Sequence, residues 1–214
     1  MPVARALLLD FNGTLSRDEP VLYAVYAQLF AEHGRPLTER EYFDRLAGRT
    51  EEAIIGGWLG VEGAELAALV EERIDRYRQV ADGSTVPEAA REAVRYAAAR
   101  VPLGIVSGAY RREIEPVLAG AGVADCFDVV VAADDVARGK PHPEGYLRAL
   151  ELLGGGIAAG DVVALEDTEA GVASATSAGL RCLAVRGTLP DARLRRADGL
   201  VDAVDLALVR ELVG

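Results

Sequence analysis

Short, nearly unbroken apolar runs recur along the chain at Ala6 to Asp10, Leu103 to Ser107, Val129 to Ala132, Val162 to Glu166 and Cys182 to Val185, with a weaker sixth around Leu200 and Val201. Runs of this length without apolar/polar alternation belong to strands covered on both faces. Between them the apolar positions fall at helical spacing: Ala89, Ala93, Val94 and Ala97; Ile114, Val117 and Leu118; Tyr146, Leu147, Leu150 and Leu153. Strand and helix alternate, which predicts an α/β chain with a parallel sheet.

The stretch from about Asp18 to Ala81 interrupts that alternation, because it holds only helical patterns between the first and second strands. Val21, Leu22, Val25, Tyr26, Leu29 and Phe30 form one apolar stripe; Leu66, Leu69, Val70, Ile74 and Tyr77 form another. Two amphipathic helices with shorter ones between them predict a small inserted bundle. Its borders, Ser16 to Glu19 and Asp82 to Pro87, are polar, and Gly83 and Pro87 mark the second as a hinge candidate. Gly154-Gly155-Gly156 reads as a loop, His33 before Gly34 as a helix end, and Trp58 and Tyr77 as core of the bundle. No internal repeat is evident.

Half of the 214 residues are apolar, enough for a sizeable core. The formal charge of -11 argues against nucleic acid or an anionic membrane as partner. No apolar run approaches the roughly 20 residues of a membrane helix, and no secretory signal precedes the first strand, so a cytoplasmic location is expected. Cys126 and Cys182 have no metal or redox spacing and are expected as core thiols. Of 23 basic residues, 22 are arginine and one, Lys140, is lysine. A chain that uses arginine almost everywhere makes its single ammonium a candidate for a role that guanidinium cannot fill.

Four separate places put reactive groups at the carboxyl ends of predicted strands: Asp10, Ser107 before Gly108, Lys140 within Gly139-Lys140-Pro141, and Glu166-Asp167. Ligands of open α/β sheets collect at those ends. Carboxylates from two strands make a hard oxygen site suited to Mg²⁺, and Ser107 with its neighbouring N–H groups and one ammonium suits a phosphoryl group. Singly, each has an ordinary reading as a helix cap, a turn or a surface connector. Together they point to phosphoryl transfer.

In this order and spacing the motifs resemble the haloacid dehalogenase superfamily, in particular its β-phosphoglucomutase and phosphoglycolate phosphatase-like branch with a helical cap. The carrying segments are Asp10-Phe-Asn-Gly-Thr-Leu15, Ile105-Val-Ser-Gly108, Asp135-Val-Ala-Arg-Gly-Lys-Pro-His-Pro-Glu-Gly-Tyr146 and Glu166-Asp-Thr-Glu-Ala-Gly-Val172 with Ala178-Gly179. The resemblance implies that Asp10 attacks phosphorus and that Mg²⁺ lies between Asp10 and Asp167. The Asn12 carbonyl and Glu166 complete the metal site, Ser107, Gly108 and Lys140 hold the phosphoryl group, and Thr14 braces the first loop. In the cap, Gly48-Arg49-Thr50 resembles the loop with which relatives touch substrate, and Arg49 is a candidate grip for a second anionic group. Glu19-Pro20 matches the cap entrance and equally an ordinary helix start. His142 is expected to be positional.

The departure is Asn12, where phosphatases and mutases of the family carry a second aspartate that protonates the leaving oxygen and then activates water. An amide does neither, and general acid/base catalysis is worth about 10²–10⁴-fold. Three accounts fit: a slow or specialised hydrolase, an engineered Asp-to-Asn trap, or a protein that binds phosphates without turnover. The resemblance also argues against a mutase or a phosphonate-cleaving relative: Leu22 stands where mutases have histidine, and the cap has no lysine.

The expected architecture is a Rossmann-like three-layer core from residues 1–16 and 83–214 with a helical cap at 17–82. The expected function is Mg²⁺-dependent hydrolysis of a small phosphorylated metabolite by a monomer or homodimer, the alternative being a non-catalytic phosphate-binding protein.

Overall fold

A computed structural model describes residues 3–214. In chain order the elements are β1 (Ala6–Leu9), α1 (Glu19–Glu32), α2 (Glu39–Glu41), α3 (Glu51–Leu59), α4 (Gly63–Val80), α5 (Glu88–Ala98), β2 (Leu103–Val106), α6 (Arg111–Gly120), β3 (Val129–Val131), α7 (Glu144–Leu153), β4 (Val162–Glu166), α8 (Glu169–Ser177), β5 (Arg181–Val185), β6 (Gly199–Val201) and α9 (Leu206–Val213). The six strands form one parallel sheet in the order β3-β2-β1-β4-β5-β6. Every residue of β1, β2 and β4 is buried, which accounts for their unbroken apolar runs. Helix α7 lies over β2 and β3, α8 over β4 and β5, and α5 packs on α9.

All six expected strands are present. Asp10, Ser107 and Ala132 stand one residue past their ends, where the chain turns toward the cleft. Ala89 and Leu147, counted with the apolar stripes, are exposed; the buried faces are Ala90, Ala93, Val94 and Ala97 on α5 and Gly145, Tyr146 and Ala149 on α7. Cys182 is a core thiol as expected, but Cys126 is only half-buried, because it follows a short turn at the sheet edge.

The helical cap lies between β1 and β2, with α4 packed on both α1 and α3. Its interior is aromatic: Tyr26, Phe30, Tyr42 and Trp58 pack ring to ring, and Tyr77 is fully buried. His33 caps the carboxyl end of α1. The two connectors to the core run side by side, tied by Arg17 N–H to Thr85 C=O (2.8 Å) and by the Ser16 and Thr85 hydroxyls (2.8 Å). Gly83 is required there by a close approach, since a Cβ would lie 2.1 Å from the Gly120 carbonyl carbon. A buried ion cluster also joins the parts: Arg73 of α4 pairs with Glu51 of α3 at 2.6 Å and with Glu113 of α6. Among the described residues, no single helix is long and apolar enough to cross a membrane.

Candidate active site

Strand order reverses direction at β1, which has β2 on one side and β4 on the other, and that is where open α/β sheets leave a crevice for ligands. Leu9 is in register with Leu165, and Asp10 N–H donates to Leu165 C=O at 2.9 Å. Asp10 therefore leaves β1 level with the Glu166-Asp167 pair that ends β4. The turn after Asp10 returns at once, with Gly13 N–H on Ser16 C=O at 2.8 Å. Gly13 has φ +73°, and a Cβ there would lie 2.0 Å from Asp167 Oδ2. On α8, a Cβ at Gly171 would lie 1.8 Å from Glu166 Oε2. Both glycines are thus the space in which the acidic pair sits.

One oxygen from each of Asp10, Glu166 and Asp167 lies within 4.8 Å of the others, and all three residues are buried. The Lys140 ammonium bridges Asp10 Oδ1 and Glu166 Oε1 at 2.6 Å each. Burial works against the ammonium, but the two carboxylates more than offset it and hold its pKa above the usual lysine value. The loop carrying Lys140 is anchored by Ser174 Oγ, which donates to His142 C=O at 2.7 Å, and by Glu144 N–H on His142 Nδ1 at 3.2 Å. His142 is half-buried, lines the cleft and takes part in both of these loop hydrogen bonds. Tyr146 of α7 donates its hydroxyl to Glu166 Oε1 at 2.6 Å.

Lys140 meets two of the three acids gathered here, and Asp167 has no ion pair among the described residues. Glu166 Oε2 and both oxygens of Asp167 have no hydrogen-bond partner among the described residues. Burial, then Asp10 and Glu166, push the Asp167 pKa well above the carboxylate range; burial and Asp10 also raise Glu166, against the pull of Lys140. Orphaned hard oxygens with uncompensated charge fit a divalent cation such as Mg²⁺.

These residues open into a cleft of about 420 Å³ between cap and core, lined by Asp10, Asn12, Ser107, Gly108, Lys140 and Asp167 from the core and by Glu19, Tyr42, Arg49, Glu51 and Arg73 from the cap. Ser107 Oγ accepts Ala109 N–H at 3.1 Å, which leaves its own proton to donate to an anion. Thr14 is buried with its hydroxyl unpartnered. Arg49 is exposed at the cleft rim and makes no ion pair among the described residues. The structure brings Asp10, Asn12, Ser107, Gly108, Arg49, Lys140 and Asp167 to one cleft, with Glu166 behind Lys140 and Thr14 beneath the first loop.

Asn12 does not reach across the cleft as a free donor: its Nδ2 donates to Asp18 Oδ2 at 2.8 Å. Asp18 is sealed from solvent, also receiving the Tyr77 hydroxyl and Gly13 N–H (3.3 Å). Three residues at or behind the cleft carry little signal in the sequence. Arg73 had a visible signal, an arginine at a stripe position between Val70 and Tyr77. Glu19 stood in Glu19-Pro20, where an ordinary helix start explained it equally well. Tyr146 was counted only as apolar.

A family model described as haloacid dehalogenase-like hydrolase matches residues 4–179. The chain is 32% identical over 212 residues to validoxylamine A 7'-phosphate phosphatase of Streptomyces hygroscopicus subsp. limoneus, covering 96% of each chain. It is 30% identical over 212 residues to phosphorylated carbohydrates phosphatase of Thermotoga maritima, covering 96% of this chain and 94% of that one. Among solved structures, an aspartate-to-asparagine variant of CbbY from Rhodobacter sphaeroides in complex with xylulose-(1,5)bisphosphate superposes with TM-score 0.82 at 25% identity, over 94% of this chain and 95% of that one.

Proposed function

The chain belongs to the haloacid dehalogenase-like hydrolases, as a phosphoric monoester hydrolase, and we propose that its cleft hydrolyses a small phosphorylated metabolite through Asp10. The observation that carries this reading is the Asp10 carboxylate itself, at the end of the central strand, held by Lys140 at 2.6 Å and facing two further acids. An Asp10 oxygen attacks phosphorus as the ester P–O bond breaks, giving an aspartyl-phosphate; water then attacks phosphorus and returns the carboxylate. The covalent route divides one hard displacement into two.

Ser107 donates its hydroxyl proton to a phosphoryl oxygen, and Lys140 offsets the negative charge between nucleophile and phosphate. Asp10, Asp167, Glu166 and the Asn12 carbonyl are the residues that would hold Mg²⁺, which when bound draws charge from the phosphoryl oxygens. Residues 17–82 act as a cap on the 1–16 and 83–214 core, and its closure excludes water from the cleft. Arg49, unpaired at the rim, supplies a charge-assisted grip on an anionic or polyhydroxylated leaving group. Two relatives are named for validoxylamine A 7'-phosphate and for phosphorylated carbohydrates, which makes phosphorylated carbohydrates the first class to test.

Asn12 favours a second reading, a protein that binds phosphates without turnover. A phosphate-release screen over a metabolite panel, with Mg²⁺ or with chelator, separates the two. The hydrolase reading expects Mg²⁺-dependent release by the protein as it stands, with a further gain on alkyl esters for Asn12→Asp. No release by either protein, with thermal stabilisation by inorganic phosphate retained, leaves the binding protein.

A further inference from the structure

Hydrolysis of an alkyl phosphate requires a proton on the departing oxygen, and Asn12 does not supply it. We propose that Glu19 gives that proton from the cap side of the cleft and then takes one from the attacking water. The inference rests on the phosphatase reading above.

Five carboxyl groups line the cleft, and four are otherwise engaged. Asp10 and Asp167 belong to the nucleophile and cation site. Glu51 pairs with Arg73 at 2.6 Å and receives the Tyr26 hydroxyl. Glu52 is exposed, 3.4 Å from the Tyr110 hydroxyl. Glu19 lines the cleft without an ion-pair partner among the described residues, and its Oε2 accepts the Tyr42 hydroxyl at 2.9 Å. Asp18, its neighbour, does not line the cleft and is spent on Asn12, Gly13 and Tyr77.

The charged surroundings suit a group that must hold and release a proton. Burial is the largest influence and raises the Glu19 pKa; Asp18 and Asp10 raise it further, while the Tyr42 hydroxyl and Arg73 lower it, leaving it at about 7. Asp167 also feels Glu19 across the cleft. A carboxyl poised near neutral pH is effective in both directions of transfer. Glu19 is the first residue of α1, and Tyr42, which orients it, also belongs to the cap. The donor therefore belongs to the cap side of the cleft, opposite the core's nucleophile.

The proton balance is simple. As the Asp10 oxygen–phosphorus bond forms and the ester P–O bond breaks, the Glu19 carboxyl proton passes to the leaving oxygen, giving a neutral alcohol and a Glu19 carboxylate. In the second step water bonds to phosphorus, the Asp10–phosphorus bond breaks, and the water proton returns to Glu19.

The test is the pH dependence of kcat/KM with Mg²⁺ for glycerol 2-phosphate and p-nitrophenyl phosphate, in the parent protein, Glu19→Gln, Asn12→Asp and the double variant. The phenolate scarcely needs protonation, so Glu19→Gln lowers the alkyl-to-aryl ratio at least tenfold and removes the parent's decline above about pH 7. In the double variant Asn12→Asp recovers the alkyl ester, which shows an intact cleft. An equal loss on both esters, or an unchanged pH limb, overturns the role of Glu19 and leaves the phosphatase standing. No phosphate release from either ester, by the parent or by Asn12→Asp, overturns both.

Discussion

Half-buried Asn12 donates its amide hydrogen to the fully buried Asp18, 2.8 Å away. The pair explains why an amide sits comfortably in the nucleophile's loop: Asp18 is an acceptor beneath it, and position 12 is its donor. Asn12→Asp therefore sets two carboxylates against each other. Expected is a loss of about 1–3 kcal/mol of stability, larger at pH 8 than at pH 6, even as alkyl esterase activity rises. Asn12→Asp with Asp18→Asn restores a donor and an acceptor and recovers most of the loss, as read by urea unfolding.

Arg73 is one buried cation shared by Glu51 and Glu113. Arg73→Met leaves two acids without their partner and is expected to cost about 3–5 kcal/mol. Adding Glu113→Gln returns part of that, because one of the stranded charges is removed. A double-mutant cycle by chemical denaturation measures the coupling.

Gly171→Ala puts a methyl group where Glu166 Oε2 now lies. Glu166 must shift, and with it Lys140 and Asp10. Activity is expected to fall by ten-fold or more, the size that a misplacement of about 1 Å can produce, and thermal stabilisation by Mg²⁺ to weaken. The mutation leaves the exposed surface of α8 unaltered, so circular dichroism of the chelated protein checks that the fold persists.

The chain stores several protonatable acids in burial. Glu19 stands at about 7, and burial likewise raises Asp18 and Glu113. Each binds its proton more tightly in the folded than in the unfolded chain, so the folded protein carries more protons between about pH 4.5 and 7 and loses stability as pH rises through that window. The exposed acids with lowered pKa, Glu32, Glu41, Asp82 and Glu144, act only below it. In chelator, Tm is expected to be higher at pH 5.5 than at pH 7.5, with a shallower slope for Glu19→Gln.

Much of this was legible before the structure. Strands buried on both faces must be apolar throughout, so β1, β2 and β4 announced themselves, and an acid at the end of such a strand is conspicuous. Asp10 and the Glu166-Asp167 pair stand out this way, Ser107 by its place at the end of β2 and Lys140 as the one lysine of the chain, with the family resemblance supplying the expected roles. Helix α8 had no stripe to read, because its Ala, Gly and Ser residues pack by smallness against β4 and β5. The cap's contribution was harder to see: Glu19, Tyr42 and Arg73 are ordinary helix residues until the fold turns them toward the cleft. Arg73 sits charged in an apolar stripe because Glu51 and Glu113 both pair with it, the second a partner 40 residues away.

The central claim is a phosphoryl group carried on Asp10. Acid quenching during turnover of p-nitrophenyl phosphate with Mg²⁺, followed by peptide mass mapping, tests it most directly. One added phosphoryl group is expected on the peptide containing Asp10, and neither that adduct nor phosphate release in Asp10→Asn. Phosphate release by Asp10→Asn at the parent's rate, or turnover with the label on another residue, contradicts it.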